Sequence, residues 1–149
     1  MQSERDVRVR GMELEYSQSL SFLPPPFKGL GIRANYTRNY AQITVANMTP
    51  HLVAAGLTYA YGRTNVYANM NWADSRPINT SGTQYQRHRI NLDLGGSYRS
   101  APRVSGFFSV RNVLNEPFVR MEQVGNNPAA AQFFQKFGVT PTVGVRTTF

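Results

Sequence analysis

Glu13 and Glu15 stand two residues apart in GMELEYSQ, so an extended chain would point both carboxyl groups the same way. Two carboxyl groups so placed could divide the roles of general acid and general base. Their neighbours of the same parity are Gly11, Ser17 and Ser19, however, and a water-facing strand surface accounts for both without catalysis. His51 and His88 have no partner at a metal-ligand spacing, and the absence of cysteine removes thiolate ligands, thiol nucleophiles and disulfides. Asp93 with Arg99 and Asp74 with Arg76 read as ordinary polar decoration. The serines lack the strand-to-helix elbow of a hydrolase nucleophile, and no glycine-rich loop leads from a strand into a helix to cradle phosphate. The reading is of a non-enzyme with no catalytic site, no metal and no cofactor.

The elements that carry these residues are strands. In LGIRANYTRNY, Leu30, Ile32, Ala34, Tyr36 and Tyr40 share one parity, and Gly31, Arg33, Asn35, Thr37 and Asn39 the other. The same alternation sets Met12, Leu14, Tyr16 and Leu20 against Glu13, Glu15, Ser17 and Ser19, with Gln18 the misfit on the apolar side. It sets Val53, Ala55, Leu57 and Tyr59 against small residues, Val66, Ala68, Met70 and Trp72 against Tyr67, Asn69 and Asn71, and Ile90, Leu92 and Leu94 against Asn91 and Asp93. A period of two over about ten residues, with aromatics such as Phe22, Tyr36, Tyr40, Tyr59, Tyr61, Trp72 and Tyr98 near the ends, suits a strand crossing an apolar band about 25 Å tall. Seven such strands are predicted, over 8–23, 30–43, 51–61, 65–75, 88–100, 104–115 and 137–149. Compact breakers at 24–29, 62–65 and 101–103 alternate with longer polar connections at 44–50, 75–88 and 116–135. The segment NNPAAAQFFQKFG carries helix signals, with Asn127 placed as an N-cap, Pro128 at the first turn and Gly138 as a stop; it reads either as a short helix or as a loop over 128–137.

Composition narrows the class further. The 149 residues suit one domain, and no run approaches eighteen consecutive apolar residues, which excludes a transmembrane helix. MQSERDVRVR has charges with no apolar run behind them and does not read as a signal peptide. The net charge of +8 comes mostly from arginine, scattered rather than gathered into a stripe. Nucleic acid is therefore not an expected partner, whereas a pore lining or loops meeting anionic lipid headgroups fit the scatter.

Three stretches resemble one family. GMELEYSQSLSFLPPPFKGLGIRANYT is similar to the strand–turn–strand unit of TonB-dependent outer-membrane receptors, FFSVRNVLNEPF with Asn112, Val113, Leu114 and Asn115 to their penultimate-strand motif, and FGVTPTVGVRTTF to the strand that closes the barrel. The resemblance spans nearly all of the sequence and implies an antiparallel transmembrane β-barrel segment of about seven long strands, with short periplasmic turns and longer extracellular loops, belonging to a larger barrel. Receptors of this family have about twenty-two strands, a plug in the lumen and a TonB box, and residues 1–149 contain neither plug nor box. Two departures stand out: Thr147 where a bulkier apolar residue is commoner, and Pro141, which removes a ladder bond from a strand expected to pair on both sides.

What the resemblance implies about function follows. Thr142, Gly144 and Phe149 match the barrel-assembly signal, in which the last strand pairs with an edge of the assembly machinery. Glu13, Glu15, Arg33, Asn35, Tyr67, Asn69, Asn71, Asn91 and Asp93 would face the lumen. The location would be the Gram-negative outer membrane, the surroundings lipid and lipopolysaccharide, and the plug and TonB complex partners of the whole receptor alone. That receptor would import a scarce solute of the siderophore, cobalamin or oligosaccharide class. A passive outer-membrane pore and a soluble basic β-barrel binding module are the rival readings.

Overall fold

Period-two alternation becomes hydrogen-bonded ladders in a computed structural model, which describes residues 7–148. Eleven strands follow in order: β1 (Val9–Ser19), β2 (Leu30–Ala41), β3 (His51–Tyr61), β4 (Thr64–Ala73), β5 (Arg76–Pro77), β6 (Gln84–Gln86), β7 (Arg89–Ala101), β8 (Val104–Arg111), β9 (Phe118–Glu122), β10 (Ala130–Gln135) and β11 (Thr140–Thr147). The long strands form one antiparallel seven-stranded sheet in the order β1-β2-β3-β4-β7-β8-β11. Each neighbours the previous long strand in the chain, so the sheet is an up-and-down meander. It does not close: among the described residues β1 and β11 are each paired on one side only.

The strand centres agree with the alternation, and the ends move for local reasons. β1 stops at Ser19 rather than running to 23, because Leu23 donates to the Leu20 carbonyl and turns the chain. β8 stops at Arg111 rather than at 115, because Asn112 and Asn115 take φ of 53° and 52°, which a ladder cannot accommodate. β11 begins at Thr140 rather than at 137, after Gly138 at φ 78°. Phe149 lies outside the described residues. Pro141 sits opposite Val110 on an edge strand of the described sheet, where its missing N–H faces the open side.

The segment over 128–137 is not helix, and it is strand at its centre with irregular chain at 128–129 and 136–137. Ala130–Gln135 is strand β10, paired antiparallel with β9, and a register irregularity between Ala131 and Phe133 absorbs one residue. Phe133 packs edge-on against Phe118, with ring centres 6.1 Å apart, and Arg120 lies over both rings. This pairing with β9 outweighs the local helix propensity of the three alanines. The connections after β4 and β8 are thus not structureless: they build a second antiparallel sheet, β10-β9-β6-β5. The loop between β2 and β3 joins it through Asn47, which donates to the Pro77 carbonyl at 2.7 Å.

Register makes the faces of the large sheet unambiguous. Across the sheet, Tyr16 opposes Ala34, Ala34 opposes Ala55, Ala55 opposes Met70, and Met70 opposes Leu92. The row Leu30, Tyr59, Val66, Gly96, Phe108, Val143 continues the same apolar face out to β11. Nothing covers it. Met12 is 50% exposed, Leu57 46%, Phe108 45% and Val143 80%, and among the described residues Val119 alone is a buried hydrophobic side chain. The chain exposes 10914 Å², against about 7,600 Å² expected for a compact monomer of this mass. Among the described residues no second layer lies on the apolar side of the sheet.

Candidate functional site

Every one of the nine residues expected to line a lumen lies on the other face of the large sheet. The registers run Glu13–Thr37–Leu52–Ala73–Arg89, Glu15–Asn35–Ala54–Asn71–Asn91, and Ser17–Arg33–Gly56–Asn69–Asp93 across five strands. Tyr67 sits one row nearer the short turns, opposite Thr58 and Gly95. Glu15, Arg33, Asn35, Asn69, Asn71 and Asp93 line one depression together with Ala34, Ala54 and Ala55. Glu13 stands beside it and accepts a hydrogen bond from Asn35 Nδ2 at 2.6 Å. The two carboxylates thus differ in surroundings, Glu13 held by an amide and Glu15 facing the depression.

Glycines let the larger side chains of this face lie flat. Arg33 crosses over Gly56 to donate from Nη2 to Asn69 Oδ1 at 2.8 Å; a Cβ at position 56 would come within 2.5 Å of Arg33 Nε. Tyr67 lies over Gly95 in the same way, with its hydroxyl oxygen and Cζ 2.5 Å from where a Cβ would stand. Phe107 lies over Gly144, so Gly144 of the expected assembly signal already has a packing reason to be glycine. Thr142, on the same edge strand as Gly144, pairs with Ser109 of β8.

Asp93 holds the structure together as much as it lines it. Its Oδ1 accepts the backbone N–H of Asn112 at 2.9 Å. Asn112 is buried, its Nδ2 donates to the Gly138 carbonyl at 2.9 Å, and its Oδ1 accepts the N–H of Glu116 at 3.0 Å. The Asn112–Asn115 stretch is therefore a clasp between β7, the end of β8 and the approach to β11. The histidines lie apart: Tyr36 and His51 share a 2.8 Å hydrogen bond and stack on the apolar face, while His88 donates its backbone N–H to Ser75 Oγ.

Where the polar face meets the small sheet there is a cavity of about 460 Å³. Asn35, Thr37, Asn71, Arg89 and Asn91 of the large sheet form one side, and Thr49, Asp74, Arg76, Gln86 and Arg87 the other. Arg76 Nε donates to Gln86 Oε1 at 2.9 Å, and Asp74 Oδ1 accepts the Ser75 N–H at 2.7 Å. Arg89 Nε and Asn91 Oδ1 are buried with no hydrogen-bond partner. The sequence reading set Arg76 aside with Asp74 as polar decoration and did not single out Arg87 or Arg89; the signal for Arg89 is its parity with Asn91 and Asp93 on the polar side of β7, whereas Arg87 lies two residues before that strand. Compared with family models, with curated proteins and with solved structures, the chain shows no match.

Proposed function

We propose that this chain is part of the wall of a larger outer-membrane β-barrel receptor of the TonB-dependent type. The parent would take up a scarce solute in a Gram-negative envelope. One observation carries the reading: seven registered strands present an uncovered apolar face backed by a polar one. In water such a face would leave large apolar patches exposed, whereas a bilayer covers it. Further strands are part of the proposal, because the open edges of β1 and β11 carry backbone groups that lipid cannot satisfy. The open edge of β11 is also suited to pairing with an assembly template, the role read for Thr142, Gly144 and Phe149. A receptor is favoured over a passive pore because the long connections fold into a sheet that helps enclose a polar cavity.

The absence of native cysteine makes the test direct. Single cysteines are placed at 68, 69, 70 and 71 in the membrane-assembled protein and challenged with a bilayer-confined thiol reagent and with a membrane-impermeant one. Ala68→Cys and Met70→Cys should react from the lipid, Asn69→Cys and Asn71→Cys from water. The reverse pattern refutes the assignment of faces. Recovery of the protein as a soluble, monodisperse species without detergent refutes the membrane location.

A further inference from the structure

We infer that the cavity between the polar face and the small sheet binds a solute bearing two or more oxyanion groups, carboxylate or phosphate. This rests on the receptor reading and narrows its solute class. Three guanidinium side chains, those of Arg76, Arg87 and Arg89, line the cavity with one carboxylate, that of Asp74. The Asp74 oxygen Oδ1 is engaged by the Ser75 N–H, and Arg76 is tethered through Nε to Gln86. A guanidinium carries five N–H donors, so this tether leaves the terminal nitrogens of Arg76 free to grip a planar oxyanion in two-pronged fashion.

Arg89 is built into the wall rather than dangling from it. Its guanidinium carbon lies 5.6 Å from the centre of the Phe137 ring, and its Nε is buried without a partner. That nitrogen is out of a solute's reach, but a cation held partly out of water is costly to leave without a counter-charge, and an anion in the cavity would offset that cost. Asn35, Asn71 and Asn91 also line the cavity, with Thr37 and Thr49. The volume is that of a small-molecule site. A neutral sugar fits worse: the aromatic residue bordering the cavity, Trp72, belongs to the apolar parity of β4, so its ring offers no stacking platform from the polar side.

The test uses the membrane-assembled protein, with citrate and inorganic pyrophosphate as anionic probes and maltose as the neutral one, followed by titration calorimetry. Citrate or pyrophosphate should bind, more weakly as salt rises, and maltose should not; the tighter of the two indicates whether carboxylate or phosphate is preferred. Arg76→Ala and Arg87→Ala should each weaken binding about tenfold or more, and Arg87→Lys should restore part of it. On the unsubstituted protein, bound citrate should shield Arg76 and Arg87 from phenylglyoxal, read by mass spectrometry. If neither anion binds, or if both alanine variants bind as well as the parent and phenylglyoxal reaction is unchanged, the inference is overturned. When that happens with positions 68 and 70 still reacting from lipid, the barrel reading survives. Intact anion binding with a reversed labelling pattern sinks the receptor reading and leaves the cavity assignment standing.

Discussion

Leu57→Arg compared with Thr58→Arg separates a bilayer from water as the medium of the apolar face. Leu57 is one residue from the centre of β3 and 46% exposed. Its neighbours across the ladders are Ile32 and Ala68, both apolar, while Thr58 faces Gly31 and Tyr67 on the other side. At a rise of about 3.3 Å per residue and a tilt near 40°, Leu57 sits about 2.5 Å from the midplane. In water, replacing a side chain already half exposed would change stability by no more than about 0.5 kcal/mol. In lipid two costs combine. The apolar contact of the exposed half is worth about 1 kcal/mol, taken as half of a full leucine burial. The guanidinium must also stay solvated, which brings the total to about 2–4 kcal/mol. Unfolding from phospholipid vesicles in urea, followed by the fluorescence of Trp72, the single tryptophan, measures the difference. Leu57→Arg should lower the midpoint strongly and Thr58→Arg only slightly. Equal losses at the two positions, or none at Leu57, would refute the reasoning.

Three further substitutions probe the packing of the polar face and its lid. Gly95→Val should cost about 1–3 kcal/mol, because Tyr67 must leave the space that the new Cβ would occupy, and urea unfolding reads the loss. Asn112→Ala removes both side-chain hydrogen bonds of the clasp at a buried position, for about 2–4 kcal/mol, and limited proteolysis should begin to cut between β8 and β11. Phe133→Ala should raise amide exchange in β10 and β9 while β1 to β4 stay protected, since its ring contacts are to Phe118 and Arg120 of the small sheet.

The long strands were legible because a period of two survives wherever one face of a strand is apolar and the other is wet. Met70 and Asn71 differ so sharply in polarity that a one-residue slip would exchange the whole pattern, and the observed register keeps it. The four short strands were not legible for the converse reason. Arg76–Pro77 and Gln84–Gln86 are too short to show a period, and Ala130–Gln135 is exposed along its length, so no alternation marks it. Their pairing depends on segments far apart in sequence, as when Gln84 Nε2 donates to Glu122 at 2.8 Å. The candidate site divides along the same line. The residues on the wall could be read one strand at a time, but the cavity takes half its lining from connections whose positions only the folded chain defines.

This division has a physical origin in the two ends of the meander. At one end Tyr61 and Thr64 are joined by two residues, and Ala101 and Val104 likewise, while the ten residues 20–29 between β1 and β2 form no strand and only one turn of 3-10 helix, Phe27–Gly29. At the other end the connections between 73 and 89 and between 111 and 140 are long enough to pair with each other. Once β6 lies beside β9, Arg87 N donates to the Val119 carbonyl and the start of β7 is tied to the small sheet. That tie brings Arg76 and Arg87 to the edge of the polar face where Arg89 already stands. The asymmetry in connection length therefore does two things at once: it distinguishes the two ends of the sheet, and it concentrates positive charge at the end where the small sheet meets the polar face. The arginine-lined cavity, with Asn71 in its lining, stands at that end, and Asn69 lies one row farther along the polar face toward the short turns.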